Sequence, residues 1–83
     1  MDAIERIDLL ARIEGLSRQE LARKCGLKED RIKNVMTRRA KLYQDDMEAL
    51  FAVWPEYAHW LATGLELAEA GQISPMTKKL MKS

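Results

Sequence analysis

Little in these 83 residues can cross-link, coordinate a metal or kink the chain. One cysteine, Cys25, leaves no internal disulfide to form, and one histidine, His59, has no second His or Cys beside it to complete a metal site. Two prolines and four glycines supply few breaks, so the chain is expected to be all-α. No apolar run approaches the length of a membrane span, and Met1-Asp2-Ala3-Ile4-Glu5 lacks the basic and apolar regions of a signal peptide. With so little cysteine and no targeting segment, a cytoplasmic, reducing location is expected, with no membrane contact. A glycine-rich phosphate loop, a Cys/His ligand set and a second histidine for proton transfer are also missing. No catalytic residue, cofactor or metal is therefore expected.

What is present is enough for one small domain. Hydrophobic residues make up 47% of the chain, which argues against disorder, although a core of this size gains from association with a second copy. The net charge of +1 conceals a sharp segregation. Residues 18–41 hold nine basic side chains (Arg18, Arg23, Lys24, Lys28, Arg31, Lys33, Arg38, Arg39 and Lys41) against three acids. Residues 42–73 hold six acids and no Lys or Arg, and the last ten residues add three lysines. A basic working face on an otherwise acidic body is a pattern suited to a polyanionic partner.

Apolar spacing predicts a first helix over 3–14, capped by Asp2 with Glu5 and ended by Gly15. Ser17-Arg18-Gln19-Glu20 is a capping box opening a second helix, and Gly26 suits the turn that ends it. Lys28 to Met36 reads as a third helix with Ile32, Val35 and Met36 inward. A fourth, capped by Asp45 or Asp46, includes Met47, Leu50, Phe51 and Trp54, and Pro55 stops it and starts a fifth with Tyr57, Trp60 and Leu61. Thr63-Gly64 ends that one. Residues 65–73 carry no clear signal, and Ser74-Pro75 opens a last short helix, Met76 to Lys82.

The second and third segments form two short helices around a glycine turn. Ala22 is small because the helices must approach closely, and Leu21, Leu27, Ile32 and Val35 supply the wedge that sets their angle. The run from Leu16 to Leu27, with Ile32 five positions on, resembles the helix-turn-helix of the lambda-repressor-like (Cro/CI-type, Xre) family. That family's pattern is Leu-Ser-x-x-x-Leu-Ala-x-x-x-Gly-Val-x-x-x-x-Ile, met here with Leu27 for Val. The likeness covers about residues 4–64. It implies a compact five-helix DNA-binding domain over 1–64, with the motif at about 17–38, and a C-terminal tail over 65–83 available for dimerisation. The stretches Trp60 to Gly64 and Gly71 to Pro75 are similar to tails of small phage and prophage regulators.

Carried over by position, the resemblance implies that Lys28, Glu29, Asp30, Arg31 and Lys33 read bases from the third helix. Arg18, Thr37, Arg38, Arg39 and Lys41 would grip phosphate. The chemistry is compatible: Arg pairs with guanine, and Glu or Asp accepts from the cytosine amino group. Glu29 and Asp30 also suit a helix N-terminus through the dipole alone, and both roles stay open. One departure is plain, since many family members have a glycine after the third helix where this chain has Thr37-Arg38-Arg39-Ala40.

Other features have plainer readings. Lys78-Lys79 reads as a solvated face, and Cys25 as a small buried hydrophobe, with a redox switch as the rarer alternative. Trp54, Tyr57, Trp60 and Leu61 lie in the acidic segment, where nucleic acid is repelled, and are candidates for a dimer interface. The expected function is a transcriptional repressor of phage type, binding a palindromic operator in double-stranded DNA as a homodimer. The alternatives are an antitoxin-like or anti-repressor protein-interaction module with weak DNA binding, or an architectural protein without sequence preference.

Overall fold

Backbone caps divide this chain into helices more decisively than its side-chain periodicity does. In the computed structural model, which describes residues 1–82, six α-helices follow one another: α1 (Ala3–Glu14), α2 (Arg18–Cys25), α3 (Glu29–Met36), α4 (Gln44–Val53), α5 (Ala58–Thr63) and α6 (Pro75–Lys82). Two 3-10 turns, Pro55–Tyr57 and Ala68–Ala70, complete the list of regular elements, and one isolated antiparallel bridge joins Leu67 to Gln72. No described helix is long and apolar enough to cross a membrane.

Both capping boxes anticipated from the sequence form. Asp2 accepts the Glu5 amide and the Glu5 carboxylate accepts the Asp2 amide, while Ser17 and Glu20 repeat the exchange at α2. Two otherwise orphaned amides are satisfied at each helix start. The fourth helix is arranged differently from expectation. Its N-cap is Tyr43, and Asp46, three residues on, reaches back to accept the Tyr43 amide at 2.8 Å.

Leu10 of α1 and Leu61 of α5 are fully buried, and Ile7, Leu21, Leu50 and Tyr57 close the core around them. Tyr57 donates its hydroxyl to the Glu14 carboxylate at 2.9 Å, so the ring is buried without orphaning its polar end. Arg6 is the unexpected member. Its guanidinium is buried and donates to the carbonyls of Leu61 at 2.9 Å, Met1 at 2.5 Å and Ala62 at 3.4 Å. The carbonyls of Leu61 and Ala62 lie at the end of α5, where a helix has no internal donors left, so the cation satisfies both those acceptors and the dipole, while the Met1 bond ties down the N-terminus.

The C-terminal segment is built into the domain. The Ile73 amide donates to the Glu56 carbonyl, and the Gln72 side chain bridges the His59 amide and the Pro55 carbonyl. Pro75 and Ser74 are buried, α6 packs on α1, and Lys78 pairs with Glu56. Ser74 caps α6 by accepting the Thr77 amide, as the Ser-Pro pair predicted.

Candidate nucleic-acid interface

The α2–α3 corner follows from three local choices. Gly26 sits in the left-handed region (φ 68°, ψ 25°), and its amide closes on the α2 carbonyls of Ala22 and Arg23. Leu27 then donates to the Ala22 carbonyl at 2.9 Å, which turns the chain sharply. Ala22 and Leu21 share the core cluster with Ile32, and Val35 of α3 is buried as well, so the two helices are locked at their apolar faces and α3 presents its opposite side to solvent.

Helical spacing distributes the eight residues of α3 between those sides. Ile32 and Val35 face the core, with Met36 beside them. Glu29, Asp30, Lys33 and Thr37 are exposed, and Asn34, partly exposed, falls between Asp30 and Thr37 on the same surface. Asn34 was not singled out from the sequence. Its signal was the spacing: four residues after Asp30 and three before Thr37 puts it on the outer face. An Asn amide can pair with adenine through two hydrogen bonds. Its backbone carbonyl meanwhile accepts from both Arg39 and Ala40, tying the following loop to the helix.

Arg31 is not on that face. Its Nε donates to Asp46 Oδ1 at 3.1 Å and its Nη2 to Asp46 Oδ2 at 2.5 Å, and the same Nη2 reaches the Lys41 carbonyl at 2.7 Å. The guanidinium also stacks over the Tyr43 ring at 5.2 Å. This bond to Asp46 raises the Arg31 pKa and holds the Asp46 carboxyl below its usual range. The expectation that Arg31 reads bases is corrected accordingly: it is a bracket between α3 and the start of α4. Positions 31 and 35 share a helix flank, so the charge was drawn to the inner side by its tertiary partner.

Thr37 donates its hydroxyl to the Lys33 carbonyl at 2.8 Å, so the proton expected to meet phosphate is used within the helix. Arg38 adopts a positive φ (64°), in the left-handed region that favours glycine. It ion-pairs with Asp2 at 2.7 Å, and the Asp2 carboxyl is lowered, first by the Glu5 amide and then by Arg38. Lys28 is the N-cap of α3 and makes no capping bond with its side chain. Arg18, Lys28, Lys33, Arg39 and Lys41 are exposed and form no salt bridge among the described residues.

With Arg31 and Arg38 paired, seven cations and three carboxylates remain in residues 18–41, a local balance of +4. The surface is cationic over an exposed helix, with its carboxylates at the first turn of α3. Such a surface can neutralise phosphates from the flanks while offering Lys33, Asn34 and Asp30 to base edges.

The aromatic cluster lies elsewhere. Trp54, Tyr57, Trp60 and Leu61 are 8%, 1%, 4% and 0% exposed, all inside the core of a single chain. They therefore cannot form the surface between two copies, and that expectation is corrected. The rings are needed to fill the space between α1, α4 and α5 in a domain with one small core. Cys25 is half-buried in the turn, and burial pushes its thiol up to about 11, which keeps it protonated and unreactive near neutral pH. Among the described residues no group of three His, Cys, Asp or Glu side chains could hold a metal ion.

No family model matches this sequence, and no curated protein matches it either. Among solved structures, the chain is similar to Pf6r from the filamentous phage Pf6 of Pseudomonas aeruginosa PA01. The TM-score is 0.71 and the identity 26%, over 92% of this chain and 97% of that one.

Proposed function

We propose that this protein is a DNA-binding regulator of phage type that reads an operator through the outer face of α3. The observation that carries the reading is the α2–Gly26–α3 corner, with its apolar wedge buried and the outer face of α3 open to solvent, flanked in sequence by the exposed cations Arg18, Lys28, Arg39 and Lys41. Such a corner lets α3 enter a major groove while the residues around it hold the backbone. Base reading is assigned to Lys28, Lys33 and Asn34, with Asp30 and Glu29 as acceptors that also select against mismatched sites. Phosphate contact is assigned to Arg18, Arg39 and Lys41, and to Arg38 once it leaves Asp2. The likeness to a phage protein of nearly equal length supports the phage setting. The regulatory output is repression, by occupancy of the operator as a homodimer whose two α3 helices lie about 34 Å apart, one DNA turn.

The test is selection of bound duplexes from a random pool, followed by anisotropy titrations in rising salt. A recovered palindrome, and an affinity falling about 0.9 log units per phosphate contact for each log unit of salt, are expected. A random pool that stays random, or an affinity indifferent to salt, would refute the reading.

The second reading, a protein-interaction module of the antitoxin or anti-repressor kind, is favoured by one observation. The 42–73 segment has no Lys or Arg, yet it bears an apolar groove beside α4. Retention of a partner protein by a chain that ignores DNA would select this alternative.

A further inference from the structure

Asp2 lies at the surface, yet its position is closely fixed. Its amide donates to the Glu5 carboxylate at 3.0 Å, its Oδ1 accepts the Glu5 amide at 2.9 Å, and its carbonyl accepts the Arg6 amide at 3.0 Å. The neighbouring Met1 carbonyl is tied to the Arg6 guanidinium. The remaining carboxylate oxygen, Oδ2, therefore has a set aim, and Arg38 Nη2 meets it at 2.7 Å. Arg38 is anchored on its own side, because its amide closes on the Val35 carbonyl at 3.0 Å. Only its side chain is left to swing. The two side chains are 55% and 49% exposed, so the pair adds little to stability. What it changes is where the guanidinium points.

The other acids along α1 are engaged elsewhere: Glu5 completes the capping box, and Asp8 pairs with Arg12 at 2.8 Å. Both line a cleft of about 430 Å³ together with Arg12, Arg18 and Arg38. Of the four cations assigned above to phosphate, Arg38 alone forms a salt bridge among the described residues, while Arg18, Arg39 and Lys41 form none. A carboxylate oxygen accepts from a guanidinium much as a phosphate oxygen does. We infer that Asp2 is a built-in brake on DNA binding: its carboxylate stands in for a backbone phosphate on Arg38, and a duplex must displace it before the loop after α3 closes. The brake rests on the phosphate role proposed above for Arg38. It acts twice, first by occupying the cation and then, once displaced, by leaving a bare carboxylate beside the phosphates. It opposes binding to any sequence, whereas base contacts offset it only at the operator.

Asp2→Asn tests the brake, because Asn caps a helix as well as Asp does and carries no charge. In anisotropy titrations at about 50 mM salt, Asp2→Asn should bind a random-sequence duplex about three- to tenfold more tightly than wild type. The same change in an Arg38→Ala background should gain less than about twofold, since only the repulsion is left to remove. Without DNA, an NMR titration should find the Asp2 carboxyl below its usual range, rising in Arg38→Ala yet held down in part by the Glu5 amide. A carboxyl indifferent to Arg38→Ala overturns the pair itself. If wild type binds DNA and Asp2→Asn binds no more tightly, or gains equally in both backgrounds, the brake is overturned and the operator reading stands. If neither wild type nor Asp2→Asn binds any duplex, the operator reading is refuted and the brake with it, whatever the carboxyl does.

Discussion

Replacing Arg38 by glycine should make the protein more stable and a poorer DNA binder at once. Arg38 is the only described non-glycine residue at positive φ, and its Cβ there costs about 1–2 kcal/mol. Glycine removes that cost but adds freedom to the unfolded chain, worth about 0.4–1 kcal/mol in the other direction. The difference favours Arg38→Gly by about 0–1.6 kcal/mol, its midpoint of about 0.8 kcal/mol being worth about 3–6 °C in a domain of this size. The substitution also deletes the Asp2 ion pair, which is exposed and therefore screened in about 1 M salt, where the Debye length is about 3 Å. The backbone bonds of the loop, from Arg38, Arg39 and Ala40 to α3 carbonyls, do not involve the side chain and persist. Circular-dichroism melting in high salt reads the strain term almost alone. Operator titrations from low to moderate salt read the phosphate term, whose slope should fall by about 0.9 per chain. A lower melting temperature in high salt would refute the strain argument, and an unchanged salt slope would remove Arg38 from the backbone contacts.

Three further outcomes follow from the packing and the charges. Leu61→Ala, at a fully buried position between α1 and α5, should cost about 2–5 kcal/mol in denaturant melts, and a loss below 1 kcal/mol would show that the core is not where it is drawn. Asp46→Asn should destabilise and should free Arg31, so non-specific DNA affinity rises even as the melting temperature drops; a drop in both would contradict the bracket. Asp46 has a folded pKa below its unfolded value, chiefly through Arg31. Its stabilisation is therefore complete above the unfolded carboxyl range near 3.8 and disappears as pH falls through the lower folded value, so wild type loses stability in acid more steeply than Asp46→Asn. Lys33→Ala and Asn34→Ala should each lower operator affinity with an unchanged melting profile, and retained specificity in both would exclude α3 as the reader.

The parts legible in the sequence are those governed by local chemistry. The two capping boxes and the glycine turn depend on residues within about one or two turns of each other and form at the expected places, and across that turn Leu21, Leu27 and Ile32 meet in the core. What escaped was set by distant partners. Arg31 looked like a base reader until Asp46, fifteen positions on, pulled it inward. Trp54, Tyr57, Trp60 and Leu61 looked like an interface because nothing in their spacing says that one small core needs all four. Residues 65–73 gave no periodic signal because they are held by the Gln72 side chain, bonded to His59 and Pro55, and by a backbone bond from Ile73 to Glu56.

The buried guanidinium of Arg6 joins points 55 and 56 residues apart in the chain, which has a consequence for how the protein is made. While it is being synthesised, α1 emerges as an isolated twelve-residue helix, marginal in water, whose cation lacks its two α5 acceptors until Leu61 and Ala62 leave the ribosome. Helix one and helix five then order together. Nascent chains halted before position 61 should remain protease-sensitive along α1, and those halted well beyond it should not.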